Sequence, residues 1–451
     1  MSTIQHSATD IHLAMQHFTK LVHLPVILRR ANIHKTRGIG VPILFEWLIT
    51  TIFARYSISR AQRNPKFTKK TVRNCLNDSH TNWQKLVILL AIYLIQYVEH
   101  FTDARRAQAF ILDDSLFKRE FSKKTELLSK VFDHDKQKFY RGFRGLTLGW
   151  SDGNTFLPVN FALMSSNNSK NRFNQLKHFD CRSLAAKRRF QAQRKMNDVA
   201  LELIDEALKA GLKTKYVLFD SWFSSPRMFF ELLQRGQFGI GMLKRSKKVY
   251  FRYRGRQMDV KSLYTMLSRS KRPTHTTYLY SSIVNFIIDG HKMKIKLVYV
   301  ANRNKTNQYL VLGTTNTALQ PNQIIQMYGR RWQIEGYFKV AKQYLQYDHT
   351  QVQSYDGLCG HMAMVIMSYD ILALEQRQQV DDRTLGDLFY HYGQSLPDIR
   401  VVDALNWLME QLSGLGEALG SAESIINEIF DHFMQTLPNN LIQLLDTTNR
   451  C

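Results

Sequence analysis

The stretch RRAQAFILDDSLFK, residues 105–118, decides how the chain reads. Its apolar run 109–112 has the length of a buried strand and halts at two aspartates, Asp113 and Asp114. A carboxylate beside a buried strand is costly unless it is paired, hydrogen-bonded or bound to metal. A second run of this kind, KYVLFDSWFSSP at 215–226, ends in the same way at Asp220. Between the two lie RGLTLGWSDGNTFLPVNFALMSS (144–166), read as two strands turning at Asp152-Gly153, and RRFQAQRKMNDVALELIDEALKAG (188–211), an amphipathic helix ending at Gly211. Three antiparallel strands, a helix and a buried strand make an α/β sheet with helices on its faces.

Downstream, YGRRWQIEGYFKVAKQYL (328–345) extends a helix opened by Pro321. At 100° per residue, Tyr328, Arg331, Glu335, Lys339 and Lys342 fall on one stripe about 80° wide. Ile334, Phe338, Ala341 and Leu345 form the neighbouring apolar stripe that packs on the sheet. Glu335 thus runs along the edge of the buried face, within reach of strand-end aspartates. By itself the stripe is equally a solvated face of i,i+4 ion pairs.

The whole chain of 451 residues has 62 Lys and Arg against 37 Asp and Glu, a formal charge of +25. That excess calls for a polyanionic partner, with nucleic acid ahead of an anionic membrane. Cysteines 75, 181, 359 and 451 are scattered singly, which excludes a zinc knuckle or disulfide frame and fits a reducing cytoplasm. The N-terminal residues lack the pattern of a secretory signal, and the apolar run from Val87 is too short to cross a bilayer.

Five regions follow from texture. Residues 1–105 are helical, and the basic cluster in NPKFTKKTVRNCLNDSHTNW (64–83) fits a small DNA-binding unit as well as it fits a solvated basic face. Residues 106–237 carry the α/β pattern, and 238–317 form a basic, tyrosine-rich β segment suited to phosphate backbones and exposed bases. Residues 318–350 carry the glutamate helix, and 351–451 are helical. The run MAMVIMSYDILAL (362–374) reads as core.

The arrangement resembles the DDE transposases, whose ribonuclease-H-like fold is a mixed sheet flanked by helices, with one aspartate on the first strand, one after the fourth and a glutamate on a late helix. Residues Tyr328, Arg331, Glu335 and Lys342 match the Y-(2)-R-(3)-E-(6)-K signature of the bacterial IS-four group. The likeness covers residues 105–350. It implies a metal-binding catalytic triad of Asp114, Asp220 and Glu335, with Asp114 preferred over Asp113 because Ser115 follows it. It also implies that Tyr328, Arg331, Lys339 and Lys342 hold phosphates of the transposon end. Two Mg²⁺ ions about 4 Å apart, with Mn²⁺ as substitute, would drive in-line phosphoryl transfer. The implied function is cut-and-paste transposition, with terminal inverted repeats and target DNA as double-stranded partners and a homodimer in the active complex. The alternatives are a nuclease or recombinase on this fold, or an inactive DNA-binding derivative.

Two features depart from the group. None of the tryptophans at 47, 83, 150, 222, 332 and 407 lies in the β segment, which leaves Tyr250, Phe251 or Tyr253 to stack on a flipped base. The second motif is DSWF rather than DRE. Lys118, Arg119 and the pair His134-Asp135 are further polar candidates near the acids.

Overall fold

The computed structural model describes residues 2–378, except 36, 62, 103–105, 135, 247–248, 271–276 and 302–307, together with residue 385; side chains are described from residue 11. Asp135, Trp407 and the region beyond 378 therefore lie outside the described residues, apart from Leu385.

Five helices come first: α1 (Ser2–Leu21), α2 (Leu24–Arg30), α3 (Val41–Phe53), α4 (Lys69–Leu76) and α5 (Trp83–Glu99). Strands β1 (Ala109–Lys118), β2 (Ser129–Asp133), β3 (Lys138–Ser151) and β4 (Phe156–Met164) follow. Helices α6 (Leu184–Ala192) and α7 (Met196–Lys209) lead into β5 (Tyr216–Phe219), α8 (Pro226–Gln234) and β6 (Phe238–Met242). The next segment holds β7 (Tyr250–Tyr253), β8 (Arg256–Asp259), α9 (Val260–Ser270), β9 (Tyr280–Ile288), β10 (His291–Ala301) and β11 (Tyr309–Thr314). Helices α10 (Pro321–Gly329), α11 (Trp332–Gln343) and α12 (Tyr355–Gln378) complete the described elements.

All the strands join one mixed sheet flanked by helices, the architecture expected of a ribonuclease-H-like fold. Its order is β2-β3-β1-β5-β6-β11-β10-β9-β7-β8, with β4 also paired to β3. β3 runs antiparallel to β1 and β4, whereas β1, β5 and β6 are parallel. The Asp152-Gly153 turn forms as the sequence indicates: Gly153 takes φ 98°, and Asp152 accepts the N–H groups of Asn154 and Thr155 at 2.8 Å. Gly241 of β6 is required by packing, since a Cβ there would meet the Phe219 ring of β5 at 2.2 Å.

Helix α12 is apolar on all sides and long enough to cross a membrane, but 94% of its most apolar window is buried within the protein. Each large apolar side chain it buries contributes about 1.5–3 kcal/mol. The run 362–374 is core, as its composition indicates.

Three details differ from the sequence expectation. β1 does not end at its aspartates but continues to Lys118, because residues 115–118 pair with Gly142–Gly145 of β3. What ends near Asp113 is the parallel partner β5, whose last paired residue is Phe219. The helix opened by Pro321 is not continuous either. The N–H groups of Arg330, Arg331, Gln333 and Ile334 each bond three residues back, a tight turn that separates α10 from α11. Finally, the mainly β segment expected at 238–317 also holds a helix, α9, and its strands extend the sheet, with β6 paired to β5 and β11 to β6.

Candidate active site

Aligned pairing places the acids. Residues 109–112 of β1 pair with 216–219 of β5, so Asp113 and Asp220 each follow the last pair, Leu112–Phe219. Paired residues share a face and neighbours along a strand alternate, which puts Asp113 on the face of Ile111 and Leu218 and Asp114 on the other. Asp220 is fixed by its own turn, with Oδ1 accepting the Trp222 N–H at 2.8 Å.

Helix α11 closes over Asp113. Arg331 at its start is buried and donates from Nη1 to Asp113 Oδ2 at 3.2 Å and from Nη2 to Glu335 Oε1 at 2.6 Å. Its guanidinium lies over the rings of Trp332 and Tyr328, at 5.1 and 5.7 Å from their centroids. The Gln333 side chain pins the same helix to β3 by accepting from Ser151 Oγ and donating to Gly153 O at 3.1 Å.

The electrostatics agree with this geometry. The Asp113 carboxyl is pushed up to about 7, first by burial, then by the negative charges of Asp220 and Asp114; the Asp114 N–H and Arg331 oppose the rise. Burial also raises Asp114, against the ion pair that Arg144 makes with it. Asp113 is thus the carboxylate whose charge is least compensated beside Asp220.

The expected residues are distributed as follows. Asp113, Arg331 and Glu335 are brought together beside Asp220, while Asp114 turns to Arg144. Tyr328 is buried beneath Arg331. Lys339 is exposed on the outer side of α11. Lys342 is half-buried, and burial lowers its ammonium, which shares its surroundings with Lys118, Arg144, Asp133 and Asp348. Lys118 pairs with Asp133 at 3.5 Å and sits over the Tyr140 ring. Arg119 is a structural residue: it is buried, and its guanidinium donates to Thr350 O and to Val352 O, the latter at 2.7 Å. His134 faces the rings of Phe132 and Trp222 at 5.0 and 6.3 Å.

Two neighbours escaped the sequence reading, Arg144 and Trp222. Trp222 follows Asp220 by two residues, is 51% exposed and has Lys244 Nζ 4.8 Å from its ring centroid. Of the aromatics expected to stack on a base, Phe251 is buried and Tyr250 is exposed. The alignment of Asp113 with Asp220 did have a sequence signal, since AFIL before Asp113 matches YVLF before Asp220 in length and apolarity.

Among the described residues no three acidic, histidine or cysteine side chains stand together as a cage for an ion. Arg331 occupies the space between Asp113 and Glu335 and supplies the positive charge there. The donor chemistry nonetheless fits a hard divalent cation: the groups are carboxylate oxygens, and the raised Asp113 marks negative charge that a cation relieves.

Residues 51–274 match the family model described as DDE superfamily endonuclease. Residues 183–376 match the model described as "Archaeal putative transposase ISC1217". The two matches overlap, and the span they cover includes Asp113, Asp220 and Glu335. No curated protein matches the chain. Both matches support a transposase function with nuclease-type chemistry on DNA.

Proposed function

We propose, from the premise that residues 51–376 carry DDE endonuclease and transposase sequence, that this chain is a cut-and-paste transposase. It binds the terminal inverted repeats of its own element, cleaves at the ends and joins them to target DNA. The observation that carries the reading is the alignment of Asp113 with Asp220 under a helix that brings Glu335 to them through Arg331. Within the superfamily we place the chain with the IS-four group, on Tyr328, Arg331, Glu335 and Lys342. Two copies pairing two ends in the bacterial cytoplasm complete the proposal.

Asp113, Asp220 and Glu335 are the residues that would hold divalent metal, with Asp113 taking the role first expected of Asp114. The chemistry that Mg²⁺ or Mn²⁺ would supply there is activation of the attacking hydroxyl and stabilisation of the leaving oxygen. The chain's own groups do the positioning. Asp113, raised to about 7, gives up its proton near neutrality and becomes an ionised oxygen ligand. Arg331 holds Asp113 and Glu335 in place without DNA and exchanges them for a phosphate when DNA arrives; its planar fork suits either partner. Lys342 and Lys339 add charge for the backbone further along α11. Trp222, exposed beside Asp220, offers a ring to an unpaired base.

The test is purified protein, Mg²⁺ or Mn²⁺, and a labelled duplex carrying the repeats that flank the coding sequence. The proposal expects cleavage at the repeat and transfer of the new 3′ end to a second duplex, both lost in Asp220→Asn. Cleavage without transfer supports the nuclease alternative, and DNA binding without cleavage supports the inactive derivative.

A further inference from the structure

The strand pairings carry one face of the sheet from the acids to the far edge. Ile111 pairs with Leu218, Leu218 with Ile240, Ile240 with Thr314, Thr314 with Lys296 and Lys296 with Ile283. Two residues further along the same strands, Lys294 pairs with Asn285 and Asn285 with Arg252, and beyond them Lys292 pairs with Ile287. Since paired residues share a face, Arg252, Ile283, Asn285, Ile287, Lys292 and Lys294 look out on the side that carries Asp113. Helices α10 and α11 cover the nearer part of this side, and Lys296 Nζ donates to Thr317 O and Leu319 O, at 3.1 and 2.6 Å, where the chain enters α10. Past that point no described residue covers the face. Arg252, Lys292 and Lys294 are exposed, and Ile283 and Ile287 are each 47% exposed. The opposite side of these strands is closed by α9, whose Val260 carbonyl accepts from Tyr299 Oη at 3.0 Å.

The surface has the composition of a backbone-binding site. Across the hairpin 280–301 the one acid is Asp289, in the turn. Lysines alternate with β-branched apolar residues across the strands, which supplies charge for phosphates and van der Waals contact for sugars. From β1 to β10 there are four strand steps, about 19 Å at roughly 4.8 Å each, and the register sets Lys294 four residues, about 13 Å, back along the strand from the level of Asp113, which makes the separation about 23 Å. That distance corresponds to about seven base pairs of duplex. The twist of the sheet turns the face progressively, so that it wraps a duplex instead of lying tangent to it.

We infer that this face of β7, β9 and β10 binds the phosphate backbone of the duplex whose end enters the acid site, about seven base pairs from the cut. The inference rests on the DNA reading of the acid site, and the experiment separates the two. Fluorescein-labelled duplexes of about 6 and about 30 base pairs are titrated with wild type, Lys292→Glu/Lys294→Glu and Lys292→Gln/Lys294→Gln, with Ca²⁺ in place of Mg²⁺. For the long duplex the charge reversal is expected to weaken binding at least about tenfold, and the glutamine variant to reduce the log–log salt slope by about 2, since each lost phosphate contact removes about 0.9. Binding of the short duplex should match wild type. Variants that melt like wild type yet bind the long duplex with unchanged affinity and slope would overturn the assignment. So would a change in oligomeric state with DNA binding unaltered, which makes the face a protein contact. Wild type that binds neither duplex would overturn the DNA reading itself, and this inference with it.

Discussion

Asp113 stands beside Asp220, each one residue beyond the last parallel pair of β1 and β5, Leu112 and Phe219. The neighbouring Asp114 points to the opposite face and is held by Arg144. Two adjacent acids of identical chemistry are thus separated by strand alternation alone.

That separation sets the first prediction. Asp113→Asn, Asp220→Asn and Glu335→Gln are each expected to lower DNA strand cleavage by about 10³-fold or more, a loss of about 4 kcal/mol in transition-state stabilisation. Asp114→Asn should stay within about tenfold of wild type, less than about 1.4 kcal/mol. A rate series on one labelled duplex checks this, and an inactive Asp114→Asn beside an active Asp113→Asn would reverse the assignment.

The raised carboxyl of Asp113 makes divalent-cation binding depend on pH. An acid whose folded value is raised to about 7 contributes stability that is full below its unfolded range and is lost as pH rises through 7. A cation that needs the ionised carboxylate competes with that proton. The melting-temperature gain from Mg²⁺ should therefore be larger at pH 8 than at pH 6, and the difference should shrink in Asp113→Asn. Differential scanning fluorimetry with and without Mg²⁺ measures it.

A second ion network, remote from the acids, holds the fold. Buried Arg189 donates to both oxygens of Glu126, at 2.7 and 2.8 Å, and to both of Asp356, at 2.9 and 2.7 Å. Arg189→Ala removes the cation shared by two buried carboxylates, leaving Asp356 to Arg188 at 3.0 Å and Glu126 to the Lys177 and Tyr355 N–H groups, and should cost about 3 kcal/mol in urea denaturation. Lysine should not restore the loss, because a point charge cannot fork to both acids. Burial works to raise the Glu126 carboxyl, but Arg189 and the Lys177 and Tyr355 N–H groups together hold it below its ordinary value. Its share of stability is present above about pH 4.3 and should be lost as pH falls below.

Asp370 on α12 behaves in the opposite sense. It is fully buried, has no hydrogen-bond partner among the described residues, and burial raises its carboxyl well above the usual range. Its contribution is full below the unfolded value of about 3.9 and is lost as pH rises toward the folded one. Asp370→Leu should stabilise the protein by about 1–3 kcal/mol near neutral pH, the cost of an unsatisfied buried polar group. Stability that falls in Asp370→Leu would mean that the carboxyl has a partner.

Much of this was legible in the chain itself. Apolar runs of strand length ending in aspartate, the Asp152-Gly153 turn, the amphipathic helix to Gly211 and the basic balance are local or compositional facts, and these determined a mixed α/β sheet and a polyanionic partner. The phase of 331–342 likewise placed Arg331, Glu335 and Lys342 on one side of a helix, because 3.6-residue periodicity is intrinsic to the backbone. Tertiary structure alone decided which aspartate faces Asp220, since that depends on the register between strands about a hundred residues apart in sequence. It also decided that Arg331 spends its charge on Asp113 and Glu335, that Arg119 is buried as a strut, and that the segment 238–317 prolongs the catalytic sheet so that its lysines share a face with the acids. Each of these depends on pairing and burial between distant segments, and no local pattern encodes them.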